Sequence, residues 1–433
     1  MDTSYFDPFI ETLGREALAQ IQLKKFQEMA SQVLRGNAFY GAKFRAAGLE
    51  NAADVRTFDD FRRLPFTLKS ELSEDQASNP PYGTNLSFPR ERYTRIHQTS
   101  GTTGRPLLWL DTDESWTWWL RCWAAVYQAA GVTADDRIFY AFSFGPFIGF
   151  WSAFEAARYA GALAVPGGGM SSYQRAKAIL AHEITVLVCT PTYAMHLAEV
   201  AEQNGIDIAG GSVKKTIHAG EPGASLPGTK QRIESAWGAQ CFDHAGATEV
   251  GAWGFECGKS PGLHINEGEF ICEVIDPATG QAADEGELVI TNLGRAGMPI
   301  IRYRTGDKVA IAPSPCACGR SFPRFEGGVI GRIDDALVVR GINVFPSAIE
   351  NIVRRFPEVG EFAVHVHRRK EMDELEVRIE TREAEPEAVA AALGQEIQAA
   401  LGLRARVEPA AFGSLPRFDL KAKRFTDHRK TAK

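Results

Sequence analysis

The spacing of apolar and polar positions divides the 433-residue chain into three regimes. Over residues 14–48, Leu18, Ile21, Phe26, Met29, Val33 and Leu34 recur at helical intervals, which predicts helix there. From residue 136 the pattern alternates. RIFYAF (137–142), ALAVP (162–166) and TVLVCT (185–190) read as strands, and GFWSAFEAARYAG (149–161) and SYQRAKAILAHE (172–183) as helices. PTYAMHLAEVAEQNG (191–205) is a helix that opens on Pro191 and closes at Gly205. KKTIHAGEP (214–222) is a strand ending in a turn. Strands that alternate with helices argue for an α/β class with a mostly parallel sheet.

The second regime begins near residue 268. EFICEVIDPATGQAADEGELVITNL (269–293) holds two strand-like runs around a Pro/Gly turn, which predicts antiparallel pairing. The third follows residue 334: strand, turn, helix, two strands, a helix (385–402) and a strand (404–410). Residues 334–433 are therefore expected to form a small α+β C-terminal domain, and 1–333 a large N-terminal one. Within the small domain, Ser347 and Glu350 have the spacing of a capping box.

Composition narrows the function classes. A 44% hydrophobic content supports a large core. Net charge is −6 with the signs interspersed, so no nucleic-acid partner is expected. The longest apolar windows, such as GPFIGFWSAF (145–154), fall short of the roughly 20 residues of a membrane span, so no membrane partner is expected. The first residues lack a basic segment followed by an apolar run, so no secretory leader is expected. Seven cysteines, an odd number, do not form a disulfide framework. These readings give a reduced, cytoplasmic protein; monomer and homodimer both remain open.

Candidate chemistry begins at HQTSGTTGRPLLW (97–109). Gly101 and Gly104 permit positive φ, so successive N–H groups can converge on an anion. Thr99, Ser100, Thr102 and Thr103 add hydroxyl donors. No Gly-Lys-Ser/Thr follows, so this is not a Walker loop. Alone, it reads equally well as an ordinary turn. Cys257, His264, Cys316 and Cys318 are flanked by Gly and Pro and form a closed tetrahedral set suited to structural zinc (Zn2+), with reduced free thiols as the alternative. Cys122, Cys189, Cys241 and Cys272 lie in apolar runs and read as core. FYAFSFGPFIGFW (139–151) sets seven aromatics just after a strand end, where open sheets place ligands. Phe142, Phe147 and Ile148 are the pocket candidates there, and an aromatic wall suits a planar aryl acid.

Further along come HAGEPG (218–223), DHAGATE (243–249), YRTGD (303–307), GRIDD (331–335) and LPRFDLKAKR (415–424). With TSGTTG, and in this order, they resemble the adenylate-forming superfamily. IIRYRTGD, CACGR, GRIDDALVVRGINVFPSAIE and the closing LPRFDLKAKR resemble its phenylacetate–CoA ligase branch. The resemblance implies that ATP activates a carboxylic acid as acyl-AMP and that coenzyme A then takes the acyl group. It places residues 99–104 on the β- and γ-phosphates, magnesium (Mg2+) on Glu249, Thr248 on the α-phosphate, and Asp307 with Arg332 on the ribose. Gly220, Glu221 and Pro222 would hold adenine, with Asp243 and His244 nearby. Where the family carries an aromatic residue that stacks on adenine, this chain has Ala245. Ala219, His244, Ala245 and Gly246 would line the acid pocket; a packed, hydrogen-bonded His244 is equally compatible.

Lys421 aligns with the mobile catalytic lysine, with Lys423 as the alternative register; Leu420 stands where the family commonly has Gly. Asp334 aligns with the pivot of the small domain, and the segment from Gly341 would line the pantetheine tunnel. The resemblance implies an aromatic acid of phenylacetate, benzoate or anthranilate type. An adenylyltransferase with a non-CoA acceptor and a carrier-protein loader stay open. A binding protein that has lost catalysis is opposed by the presence of Glu249, Asp307 and Lys421.

Overall fold

Asn37 ends the first helical run early. The computed structural model describes residues 5–99, 106–340, 342–369, 372–418 and 422–430. Within 14–48 it has two helices, Arg15–Gly36 and Ala38–Ala46. The Asn37 side chain accepts from the Tyr40 N–H at 3.0 Å and so starts the second helix instead of continuing the first. Phe26, Met29, Val33, Tyr40 and Phe44 form one buried cluster between them.

The chain folds as two compact units, Met1–Gly169 with Phe242–Gly328, and Met170–Cys241 with Val329–Lys433. In the first, strands Arg137–Tyr140 and Leu163–Pro166 pair in parallel, and helix Ile148–Ala160 makes the crossover between them. The expected antiparallel pair is Phe270–Ile275 with Glu285–Asn292, and Tyr303–Ala310 pairs on its far side. A further antiparallel run joins Gln240–Ala247, Gly251–Phe255, Leu263–Ile265 and Arg324–Phe325. Helix Asp113–Ala129, for which the sequence reading names no element, buries Trp116, Trp118, Trp119 and Trp123.

In the second unit, Val186–Cys189 and Lys215–His218 pair in parallel across helix Pro191–Gln203. A four-stranded sheet runs in the order Ala405–Ala410, Met372–Thr381, Val359–Arg369, Phe425–Asp427. Val364, Val366, Val377 and Ile379 line its buried face against Leu393 and Ile397 of helix Pro386–Leu401. The fold is α/β, as the alternating pattern indicated. One local expectation is corrected. Helix Pro346–Arg354 starts after Phe345, and Ser347 does not cap it. Pro346 holds the first helical position, which leaves Ser347 inside the first turn, where its hydroxyl donates to the Ile330 carbonyl.

Candidate active site

Thr99 closes the base of the candidate phosphate loop. Its N–H donates to the Leu107 carbonyl at 3.0 Å, and the Leu107 N–H donates back to Thr99 Oγ1 at 3.0 Å. Below this reciprocal pair the strands Tyr93–Gln98 and Leu108–Thr112 form an antiparallel hairpin. Ser100, Gly101, Thr102, Thr103 and Gly104 lie outside the described residues, as do Gly341 and Lys421.

Thr248 and Glu249 sit in the turn between strands Gln240–Ala247 and Gly251–Phe255. Gly251 has φ +133°, and a Cβ there would meet the Trp118 and Phe270 rings at 2.7 and 2.8 Å, so the turn requires glycine. The turn is held from below by Arg295, which is fully buried. Its guanidinium donates to the carbonyls of Thr248 at 2.7 Å and Glu249 at 3.3 Å. The same guanidinium meets both oxygens of buried Asp111 at 2.7 Å each and lies over the Trp109 and Trp119 rings. Glu249 Oε1 accepts from the Tyr303 hydroxyl at 3.1 Å and lies 3.8 Å from the Lys69 ammonium. A carboxylate is a hard oxygen donor of the kind magnesium takes.

Glu221 follows strand Lys215–His218 through Gly220, whose φ is +97°. Gly220 and Pro222 are exposed, and Ala219 is half-buried. The Glu221 carboxylate accepts from the Thr192 N–H at 2.9 Å and from the Ala422 N–H at 3.0 Å. Desolvation pushes this carboxyl up, and hydrogen bonds from the Thr192 side chain and from the Ala422 and Thr192 amides pull it part of the way back. Lys423 is exposed. Arg424 is buried and donates to Glu361 at 2.6 and 3.0 Å, to Glu350 at 3.3 Å and to Thr192 Oγ1 at 3.4 Å.

His244 is packed and hydrogen-bonded. Its ring centroid lies 4.2 Å from that of Trp123, and Nδ1 is 2.6 Å from the Gly254 carbonyl. Burial lowers its pKa to about 4. The Asp243 N–H donates to Glu256 at 2.9 Å, and Asp243 Oδ1 accepts from the His244 N–H at 3.0 Å. Ala245 pairs across the strands with Gly254, and exposed Gly246 with Ala252. Phe142 stacks on Phe150 with centroids 4.0 Å apart, Phe147 meets Phe150 edge-on at 6.2 Å, and Ile148 is buried at the start of its helix. Asp307 lies on strand Tyr303–Ala310 of the first unit, and its N–H donates to Thr305 Oγ1 at 3.0 Å. In the second unit, Arg332 makes a forked pair with exposed Asp334 at 2.9 and 3.1 Å.

Cys257, His264, Cys316 and Cys318 converge. Their ligand atoms lie within 4.8 Å of one another, and all four residues are buried. Cys257 and Cys316 sulfurs are 3.5 Å apart, and Cys318 Sγ is 3.4 Å from His264 Nε2. Zinc–sulfur bonds of about 2.3 Å set tetrahedral ligand edges of about 3.8 Å, close to these spacings. His264 Nδ1 is 3.1 Å from the Phe322 carbonyl, which orients Nε2 inward. The Cys318 thiol is held well below the ordinary range by hydrogen bonding with Cys257 and His264, and that same bond pushes Cys257 up. The donor set fits a tetrahedral soft metal.

Arg295 and Asp111 escaped the sequence reading. The available signal was Asp111 itself, an acid inside the apolar run LLWLDT, which demands a buried partner.

Comparison with known proteins places the chain. Residues 341–429 match the family described as AMP-binding enzyme C-terminal domain. Phenylacetate-coenzyme A ligase of Pseudomonas putida is 30% identical over 99% of this chain and 98% of its own length. Among solved structures, 2-hydroxyisobutyryl-CoA ligase in the postadenylation state matches with a TM-score of 0.93 and 30% identity, covering 99% of this chain and 94% of that one. The same ligase with CoA in the thioesterification state matches with a TM-score of 0.75 over the same shares. End-to-end likeness at this identity settles the family: the chain belongs to the phenylacetate–CoA ligase branch of the adenylate-forming enzymes.

Proposed function

We propose that this protein is an AMP-forming acid–coenzyme A ligase acting on an aromatic carboxylic acid. The observation that carries the reading is likeness to named phenylacetate-coenzyme A ligases along the whole chain. The acid attacks the α-phosphorus of ATP, pyrophosphate leaves, and the CoA thiol then displaces AMP from the acyl carbon. The first step joins two anions, so the barrier is charge repulsion and alignment. Residues 99–104 receive the departing phosphates, and of these the described Thr99 is tied to Leu107. Thr248 faces the α-phosphate from a turn that Arg295 holds rigid. Magnesium on Glu249 would neutralise phosphate charge. Asp307 takes the ribose hydroxyls, with Arg332 assisting. Lys421 brings positive charge to the reacting carboxylate and phosphate. The division into 1–333 and 334–433, with Asp334 as pivot, assigns the two steps to two poses. The two states of 2-hydroxyisobutyryl-CoA ligase, matched at 0.93 and 0.75, support that division.

Zinc in the Cys257, His264, Cys316 and Cys318 cluster would be structural, since four protein ligands leave no position for substrate. The aromatic choice rests on the ring cluster around Phe142 and Phe147. A second reading, a short branched hydroxy acid, is favoured by the 0.93 match to a 2-hydroxyisobutyryl-CoA ligase. Aryl acids and 2-hydroxyisobutyrate, assayed for AMP release with and without CoA, separate the two. Turnover confined to the hydroxy acid would replace the aryl reading. AMP release or an adenylate ester with no CoA dependence would point to a different acceptor.

A further inference from the structure

We infer, resting on the proposed ligase reaction and on His244 as part of its acid pocket, that His244 sets specificity by accepting a hydrogen bond from the acid. The substrate is then a carboxylic acid that also carries a hydroxyl or amino donor. The chain fixes where the proton of this imidazole sits. Nδ1 faces the Gly254 carbonyl at 2.6 Å, and a carbonyl oxygen only accepts, so Nδ1 carries the hydrogen. Burial lowers the pKa to about 4, so at neutral pH the ring holds that single proton. Nε2 is left as a bare acceptor, and among the described residues it has no hydrogen-bond partner. The Trp123 ring, with its centroid 4.2 Å away, and the Nδ1 bond together keep the imidazole from turning.

Gly246 keeps the space beside Nε2 open. Strand pairing shifts register between Ala245 and Gly246, and Gly246 is exposed. A Cβ at Gly246 would stand 3.3 Å from His244 Nε2 and 2.8 Å from the Gly251 carbonyl oxygen, so the acceptor lies beside an open position that only glycine fits. A bare lone pair repels a carboxylate oxygen, which has no hydrogen to give, so Nε2 serves another part of the acid. A polar group that loses its water and gains no partner costs binding, so such a site rejects an acid without the donor. Phenylacetate and benzoate lack one; 2-hydroxyisobutyrate and the hydroxy- and amino-substituted aryl acids carry one.

The test compares kcat/KM for AMP release within matched sets: anthranilate and salicylate against benzoate, the hydroxyphenylacetates against phenylacetate, and 2-hydroxyisobutyrate against pivalate. The preferred acid should exceed its donor-free partner by roughly 10- to 100-fold, the worth of one buried hydrogen bond. Methylating its hydroxyl or amine until no hydrogen remains should remove the advantage. His244→Asn keeps an N–H where Nδ1 stands and nothing where Nε2 stands, so the ratio should fall close to one. His244→Gln returns an acceptor near the Nε2 position and should restore most of the ratio. Loss shared equally by every acid, with the ratio intact, would overturn the inference in favour of a structural histidine. A preferred acid without a donor would overturn it outright, and that comparison needs only the unaltered protein, whether or not the variants fold. Absence of AMP release from the unaltered protein with every acid would instead sink the ligase reading.

Discussion

Arg295 shows what a single residue can decide. Its charge is enclosed with Asp111 and two tryptophan rings, and its remaining donors hold the carbonyls of Thr248 and Glu249. Removing one partner of such a pair leaves a buried, uncompensated charge. Arg295→Ala should cost about 3–5 kcal/mol in denaturant unfolding. Replacing both partners with apolar residues, Arg295→Met with Asp111→Leu, should recover much of that stability but not adenylation, because the turn stays unheld. Recovery of both would mean the arginine does not position the turn. Asp111 stands out as an acid in an apolar run, but its partner was not legible, because the pair spans 184 positions. Buried histidines give a second test. Burial lowers His97, His218 and His244 to about 4. The unfolded chain takes up protons near pH 6.5 that the folded chain refuses, so stability is present above 6.5 and falls as pH drops toward 4. Each group contributes a slope of about 1.4 kcal/mol per pH unit in that window. Unfolding curves at pH 7.5, 6.5 and 5.5 should show the loss, and His244→Asn should reduce the slope. A flat profile would contradict the buried neutral state.

At the scale of elements, strands and helices with strong periodicity were readable. Val186–Cys189, Pro191–Gln203 and Lys215–His218 fall where the pattern put them, because length, Pro191 and the following turn all agree. What failed was local chemistry overruled by a neighbour: Ser347 has the spacing of a cap, but Pro346 takes the first helical position. Helix Asp113–Ala129 was missed although its exposed positions Glu114, Thr117 and Arg121 recur at helical spacing. The cysteine cluster was legible in residue type but not in geometry, since strand pairing of Leu263–Ile265 with Arg324–Phe325 brings its two halves together. Purified protein should hold one zinc per chain, judged by elemental analysis against the four ligands. Chelation should lower the unfolding midpoint, and Cys318→Ser should weaken retention at least 10-fold. Metal-free protein of unchanged stability would leave the cluster as reduced thiols.

At the scale of the molecule, compactness joins residues 170–241 to 329–433, through ties such as Arg417 to Glu199 and Arg424 to Thr192. Sequence gave no sign of those ties, because each joins segments more than 200 residues apart. Residues 334–433, expected from sequence to be a compact α+β domain, are proposed as the part that moves between the two chemical steps. The ordered motifs made the family legible, and the comparisons show that family. The central claim is that the acid itself attacks the α-phosphorus of ATP. Turnover with acid labelled with oxygen-18 in its carboxylate, followed by mass spectrometry of the AMP, tests this most directly. Passage through acyl-AMP transfers one labelled oxygen from the acid to AMP. Recovery of unlabelled AMP, with thioester formed, would contradict the account.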